Sequence, residues 1–355
     1  MIYLFAGARP NFIKASSIIR AFKKYDIDFE LIHSGQHYDL NMVKDFLPAD
    51  SWFPDYCLPG WNAYSNPADQ IGQTIRSFGE YCSIKKPDMI MVFGDVNSTL
   101  AGAIVANKLG IKLAHVEAGE RCGNLSMPEE MNRILVDQMS DFLFAASEQA
   151  YDNIAGYDKD GLYLTGDTMI DQLVYYENEF KEYAVKNEKY AVLTLHRCAN
   201  TDDENRMNKI FDVIYNISQK IKIFFPCHPR TKKAWKEYGF KNKTEGLIFE
   251  DPMPYLDFIA MLQNAEFVLT DSGGLQVETS YLNVPCITLR KRTERHDTIN
   301  RGSNLLIDPD KNLLGHLQFN VDKILKRRWK QSTFKSNPIH DGKAAERIAE
   351  IIRWI

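Results

Sequence analysis

Residues 267–279 read FVLTDSGGLQVET. The apolar run Phe267-Val268-Leu269 breaks at a pair of glycines, and a segment of helical character follows. A buried strand that ends in a glycine turn and hands over to a helix is half of a βαβ unit, so the fold class turns on this stretch. Gly273 and Gly274 let the backbone approach a ligand closely, while the start of the helix offers unpaired N–H groups and a positive dipole end to an anion. The lysine of GxxxxGK[ST] is absent, which argues against ATP hydrolysis and γ-phosphoryl transfer. Glu278 lies in the helix where it can accept hydrogen bonds from a ribose diol, as an acid does in dinucleotide folds. A tight turn capped by Asp or Ser explains the glycines alone; with Gln276 and Glu278 included, nucleotide binding is the better reading.

The same strand-to-helix alternation extends in both directions. IYLFAG (2–7), DFELIHS (28–34), MIMVFGD (89–95), KLAHVEAG (112–119) and FLFAAS (142–147) form one series. AVLTLH (191–196), KIFFPCH (222–228), GLIFED (246–251), FVLTD (267–271), PCITLR (285–290) and NLLID (304–308) form a second. Short β-branched runs separated by helices predict parallel sheets covered on both faces, and two series predict two α/β halves. The length of 355 residues agrees, being too great for one ordinary core. The boundary is expected near 162–173, LYLTGDTMIDQL, where a strand ends at Gly166 and a long polar helix follows. The tail HDGKAAERIAEIIRWI has apolar residues at helical spacing and is read as a closing helix packed back on the body.

A net charge of −4 gives no global pull toward nucleic acid or anionic membrane, so anion binding must come from local clusters. The six cysteines are scattered, without a CxxC pair or zinc spacing, and read as reduced thiols. No run approaches a membrane span, and the chain enters an apolar strand at once; a cytoplasmic protein is the expectation. The runs LKRRWK (325–330) and RKR (290–292) read as solvated or local charge, and Trp52 and Trp61 as supports of a long loop over 48–68.

Polar residues gather at the carboxyl ends of the predicted strands, where ligands bind in open α/β sheets. Arg9 follows the first strand, His33 closes the second, and Asp95 and Glu117 follow the next two. His196, His228 and Asp271 do the same in the second series. One such residue is ordinary helix capping; the whole set suggests a cleft faced by both sheets. In GARPNFIK (7–14), Arg9 can fork onto a pyrophosphate and Lys14 lies about one turn further on.

Taken together, GARPNFIK (7–14), GDVNSTLAGA (94–103), HVEAG (115–119), MPEEMNR (127–133), LTGDTMID (164–171), LHR (195–197), CHPR (227–230) and TDSGGLQVE (270–278) resemble the UDP-N-acetylglucosamine 2-epimerase family, in the family's order. The resemblance implies a glycosyltransferase-like (GT-B-like) fold: a Rossmann-like domain over 1–167, a second over 168–338 that binds UDP, and a helix over 339–355 returning to the first. GARPNFIK resembles the nonhydrolysing branch, which inverts C2 of a UDP-2-acetamido sugar. HRCANTDD and CHPRTKK resemble a subgroup acting on more modified sugars such as UDP-2,3-diacetamido-glucuronic acid. Cys198 and Ala199 stand where that subgroup has alanine and glutamate, which argues against a nucleophilic thiol.

The resemblance also implies residue roles. Asp95, Glu117 and Glu129 match the family's acids, with His196 completing the catalytic set. Arg9, Ser272, Gly273, Gly274, Glu278 and Arg295 fall on the substrate and UDP side, with Lys14, Arg133 and His228 as further contacts. For Arg133 a helix-surface ion pair, and for His228 a turn role before Pro229, are equally plain readings. No cofactor and no metal are called for. The family implies a homodimer acting in cell-surface polysaccharide synthesis. A hydrolysing 2-epimerase, a GT-B glycosyltransferase and a UDP-sugar sensor without turnover are the competing readings.

Overall fold

The computed structural model describes residues 1–35, 52–59, 66–157, 159–181, 188–240, 245–332 and 334–355. The chain divides into two compact units, Met1–Tyr175 with Pro338–Ile355, and Tyr176–Asn337. The first contains β1 (Ile2–Ala6), β2 (Phe29–His33), β3 (Tyr56–Cys57), β4 (Met89–Phe93), β5 (Lys112–Ala118), β6 (Phe142–Ala145) and β7 (Leu162–Leu164). They pair in the order β3-β2-β1-β4-β5-β6-β7, every pair parallel. The second contains β8 (Tyr190–Thr194), β9 (Lys222–Pro226), β10 (Leu247–Glu250), β11 (Val268–Thr270), β12 (Cys286–Leu289) and β13 (Asn304–Ile307). Its order is β10-β9-β8-β11-β12-β13, again all parallel.

Every strand read from an apolar run is present. The strand added by the structure, β3, is a two-residue exposed edge pairing with Ile32 and His33, too short to leave a pattern. Both sheets reverse their winding once, between β1 and β4 and between β8 and β11. At such a switch point the connections leave in opposite directions and open a crevice at the strands' carboxyl ends. β1 and β4 are buried along their whole length, as strands covered on both faces must be. Phe5 of β1 stacks on Phe78 with ring centroids 4.0 Å apart, in a core that includes Tyr3, Ile32, Ile90 and Val92.

The helix Thr168–Tyr175 belongs to the first unit, where the sequence pattern had assigned 168 onward to the second. The reason is its packing on the helix Arg9–Lys24: Ser17 Oγ donates to Thr168 O at 3.0 Å, and Gln172 Nε2 donates to Ile13 O. The last helix, Ala344–Arg353, buries Ala344, Ala345, Ile348, Ala349 and Ile352 against the same pair of helices. Its first turn is capped from far away in sequence, since Asp171 accepts Ala344 N at 3.0 Å and Ala345 N at 2.7 Å. The rim pairs Lys24–Glu346 and Tyr25–Glu350 are exposed and add little. Trp52 lies under Lys23, whose Nζ is 3.3 Å from the ring centroid; Trp61 and most of the 48–68 loop lie outside the described residues. All six cysteines are free thiols. Among the described residues, no helix is long and apolar enough to cross a membrane.

Burial pushes the Asp171 carboxyl up to about 6, against the pull of the two N–H donors, and the nearby charges of Asp167 and Asp341 push the same way. A carboxyl raised in the folded state destabilises once ionised. Stability is therefore expected to rise as pH falls from about 6 toward the unfolded value near 4, by an order of 2–3 kcal/mol. Asp171→Asn, which keeps one acceptor and loses the charge, is expected to flatten this dependence. Denaturant midpoints at pH 5 and pH 7.5 check it; an unchanged slope in the variant refutes it.

Candidate active site

At the switch point of the first sheet, the turn after β1 is held by Asn11, whose Oδ1 accepts Gly7 N at 3.3 Å and Ala8 N at 3.0 Å. Asn11 Nδ2 donates to Phe93 O at 3.0 Å, tying this turn to the end of β4. Arg9 opens the helix here and is exposed, whereas Lys14, one turn on, is buried and forms an ion pair with Glu117.

Asp95 and Glu117 follow neighbouring strands, since β4 pairs with β5. Each carboxylate meets its own cation. Arg133 reaches Asp95 Oδ2 through Nε at 3.0 Å and Nη2 at 2.8 Å, and Asn132 Nδ2 donates to Asp95 O at 2.8 Å. Glu117 adopts φ +72, a left-handed backbone uncommon outside glycine, where the β5–β6 register shifts between Val116 and Ala118. Gly119, at φ +81, packs so tightly on the helix Glu148–Ile154 that a Cβ there would lie 2.0 Å from Ala150 O.

The helix Pro128–Met139 supplies most of the scaffold around these acids. Glu129 stands half-buried on its first turn and, among the described residues, is not hydrogen-bonded to Asp95. Its neighbour Glu130 is fully buried, accepting Cys122 N at 3.0 Å, Gly123 N at 2.8 Å and the Arg133 guanidinium. Burial raises the Glu130 carboxyl, but these N–H groups and the arginine outweigh it and hold the group below the usual range. Arg133 is thus a buried cation shared by Asp95 and Glu130, its side chain 3% exposed. That rules out the surface-pair reading and engages on carboxylates a guanidinium expected at UDP. Lys14 is likewise engaged by Glu117.

In the second unit the switch point brings together the ends of β8 and β11. Asp271, fully buried, accepts His196 N at 3.1 Å, Arg197 N at 2.9 Å and Asn200 Nδ2 at 3.1 Å, and His196 Nδ1 lies 3.1 Å from its Oδ1. Burial alone would raise the Asp271 carboxyl; the His196 ring, the Arg197 N–H and the Asn200 amide hold it low. Asp271 is therefore an organiser of the His196 turn, a role the strand-end pattern did not reveal. His228 caps the helix Pro229–Glu237, its Nδ1 accepting Arg230 N at 3.2 Å, with its ring centroid 5.9 Å from that of His196. His33, the buried last residue of β2, stacks on Phe12, and its Nδ1 accepts Gly35 N at 2.9 Å.

Ser272 N donates to Thr270 Oγ1 at 2.9 Å and Ser272 O accepts Gln276 Nε2 at 2.9 Å, which fixes the turn opening the helix Gly274–Leu282. Gly273 has an ordinary right-handed backbone; its missing side chain makes room for a protein carboxylate, because a Cβ would lie 2.3 Å from Glu294 Oε1. Glu294 is gripped by Arg290 at 3.2 and 2.8 Å and lies 3.9 Å from Arg197 Nη2. Arg290 of the RKR run is accordingly a buried ion-pair partner, while Lys291 pairs with Asp310 at the surface. A Cβ at Gly274 would meet nothing within 4 Å. Glu278 and Arg295 are both buried in this unit.

These two sets can be placed among known proteins. The family model described as UDP-N-acetylglucosamine 2-epimerase matches residues 20–353. The chain belongs to the UDP-N-acetylglucosamine 2-epimerase family. It is 41% identical to the UDP-N-acetylglucosamine 2-epimerase of Methanococcus maripaludis, over 99% of this chain and 98% of that one. It is 35% identical to the UDP-2,3-diacetamido-2,3-dideoxy-D-glucuronate 2-epimerase of Pseudomonas aeruginosa, over 87% and 88%. The structure of the Methanocaldococcus jannaschii UDP-GlcNAc 2-epimerase in complex with UDP-GlcNAc and UDP superposes with a TM-score of 0.88 at 35% identity, covering 100% of this chain and 99% of that one. MurG of Acinetobacter baumannii, at 12% identity and a TM-score of 0.58, shares the fold alone. The family's fold is thus the GT-B-like α/β arrangement.

Arg133→Leu strands the Glu130 carboxylate in the interior without its cation and is expected to destabilise the first unit by about 3–5 kcal/mol. Urea unfolding measures this; a loss within about 1 kcal/mol, the range of an exposed pair, contradicts the assignment.

Proposed function

We propose that this protein is a nonhydrolysing UDP-2-acetamido-sugar 2-epimerase, an isomerase inverting C2 by elimination and re-addition of UDP. The observation that carries the reading is the pair Asp95 and Glu117 on adjacent strand ends, each against its own buried cation. Family membership narrows that pair to this chemistry.

The C2 proton of such a sugar is not next to a carbonyl, so direct deprotonation leaves a poorly stabilised carbanion. Expelling UDP first avoids it. The C1–O bond breaks with its electron pair going to the diphosphate, and the ring carries the positive charge. A carboxylate then takes the C2 proton and the C–H electrons form the C1=C2 bond of a glycal. The reverse steps add a proton to the opposite face and return UDP to C1, so no redox partner is needed.

In this reading Asp95, Glu117 and Glu129 serve the sugar, with the lysine and arginine beside the first two fixing where their carboxylates stand. Lys14 and Arg133 also remain candidates for the substrate once it is bound. The Ser272–Gly274 turn, Arg9, His196 and Arg295 serve the diphosphate, where cations and N–H donors stabilise the departing charge, and Glu278 the ribose. His228 stands beside His196 as a further contact. The higher identity to the Methanococcus maripaludis enzyme than to the diacetamido-glucuronate enzyme supports UDP-N-acetylglucosamine as the first substrate to test. A cytoplasmic homodimer supplying surface-polysaccharide synthesis is the setting the family implies.

Turnover of UDP-N-acetylglucosamine in D₂O is expected to place deuterium at C2 of the product, read by NMR, without free UDP building up. Absence of label during inversion removes the mechanism, and free UDP formed in step with free sugar selects the hydrolysing reaction. Asp95→Asn is expected to lower kcat by at least about 100-fold, while UDP affinity changes little.

A further inference from the structure

We propose that His115 and Asp137, neither of which has a place among the acids or the UDP contacts, form a positioning strut that sets the two catalytic carboxylates against each other. The proposal rests on the functional reading above. Both side chains are wholly buried. His115 Nε2 lies 2.8 Å from Gly94 O and Nδ1 lies 2.6 Å from Asp137 Oδ1. The carbonyl can only accept, so Nε2 donates to it, while Nδ1 faces the carboxylate. The second carboxylate oxygen, Asp137 Oδ2, accepts Gly119 N at 3.1 Å and Arg121 Nη2 at 2.6 Å, and Arg121 Nη2 is also 3.1 Å from Tyr157 OH.

The chain of bonds therefore runs from the Gly94–Asp95 peptide, through the imidazole and the carboxylate, to the Ala118–Gly119 peptide. Its ends lie next to Asp95 on one side and two residues past Glu117 on the other. The segments it joins are bent: Gly94 is at φ +63, Glu117 at +72 and Gly119 at +81. A left-handed non-glycine residue carries roughly 1–3 kcal/mol of strain and persists only where its surroundings over-determine it. Here the surroundings are this strut, together with the bond from Gly94 N to Val116 O at 3.1 Å. Asp137 sits one turn after Arg133 on the helix Pro128–Met139, so a single rigid element grips the Asp95 side chain and braces the backbone on either side of both acids.

A strut of this kind acts on proton transfer and leaves binding alone, because none of its groups needs to touch the substrate. His115→Gln and Asp137→Asn in the full-length protein are expected to lower kcat for UDP-N-acetylglucosamine by about 10- to 100-fold, the loss that a misplacement near 1 Å produces. KM and the calorimetric Kd for UDP are expected to stay within about twofold. The kinetic isotope effect with C2-deuterated substrate is expected to increase, as transfer at C2 becomes more limiting. Phe78→Leu, which opens a cavity in the first unit's core at a side chain that bonds to none of these groups, supplies a destabilised control and is expected to keep wild-type kcat and isotope effect.

Variants that retain kcat within twofold overturn the proposal. So does a parallel loss of kcat and UDP affinity, or failure of both variants to fold at a temperature where Phe78→Leu folds, since either outcome makes the pair a stability element. Wild-type protein that does not invert C2 sinks the functional reading, and this proposal with it; an active wild type with unaffected variants sinks this proposal alone.

Discussion

Two ion pairs, Lys14 with Glu117 and Arg133 with Asp95, tie the ends of adjacent strands to the helices beside them, and the first unit is organised around them. Asp95 and Glu117 follow β4 and β5, strands that pair directly. Each acid meets a buried cation, Lys14 beside Glu117 and Arg133 beside Asp95. The lysine comes from the helix after β1 and the arginine from the helix after β5, so both pairs form only when the elements flanking the switch point are in register. The polar pair is in this sense a check on the fold as well as the proposed seat of the chemistry.

Most of the architecture was legible because parallel strands buried on both faces leave uninterrupted apolar runs. IYLFA, MIMVF and YAVLT could be read directly, and the residues following them fell where ligands bind in such sheets. What escaped depended on tertiary pairing. Helical spacing within 128–139 does not reveal that Glu130 turns inward to cap Cys122 and Gly123 while Glu129 stays half-exposed, because the two are adjacent in sequence. Lys14 and Arg133 were legible as cations near an anion, but not as partners of Glu117 and Asp95. The unit boundary fell at Tyr175 because hydrogen bonds from Ser17 and Gln172 hold the helix Thr168–Tyr175, and such bonds leave no trace in composition.

The second unit shows the same division of labour with different groups. TDSGG announced an anion site, yet its aspartate faces inward and organises the backbone carrying His196 and Arg197. Gly273 is required for a reason internal to the protein. Close approach was expected from a ligand; in the structure it is required by Glu294, whose carboxylate is fixed by Arg290. A buried acid beside the turn adds negative charge near the place where phosphate is proposed to sit. The neighbouring arginines, Arg197 and Arg290, are what keep that charge local.

The placement of the last helix bears on how the chain is made. Residues 1–175 leave the ribosome with one side of the helix Arg9–Lys24 uncovered, and the segment that covers it, Ala344–Arg353, is synthesised only after the second unit. While the intervening residues of the second unit are being translated, an apolar stripe meant for Ile348 and Ile352 stays open to solvent, together with an Asp171 still awaiting its two amides. The first unit is thus finished after the second, and its vulnerability to misassociation during synthesis lasts at least until residues 176–337 have been translated.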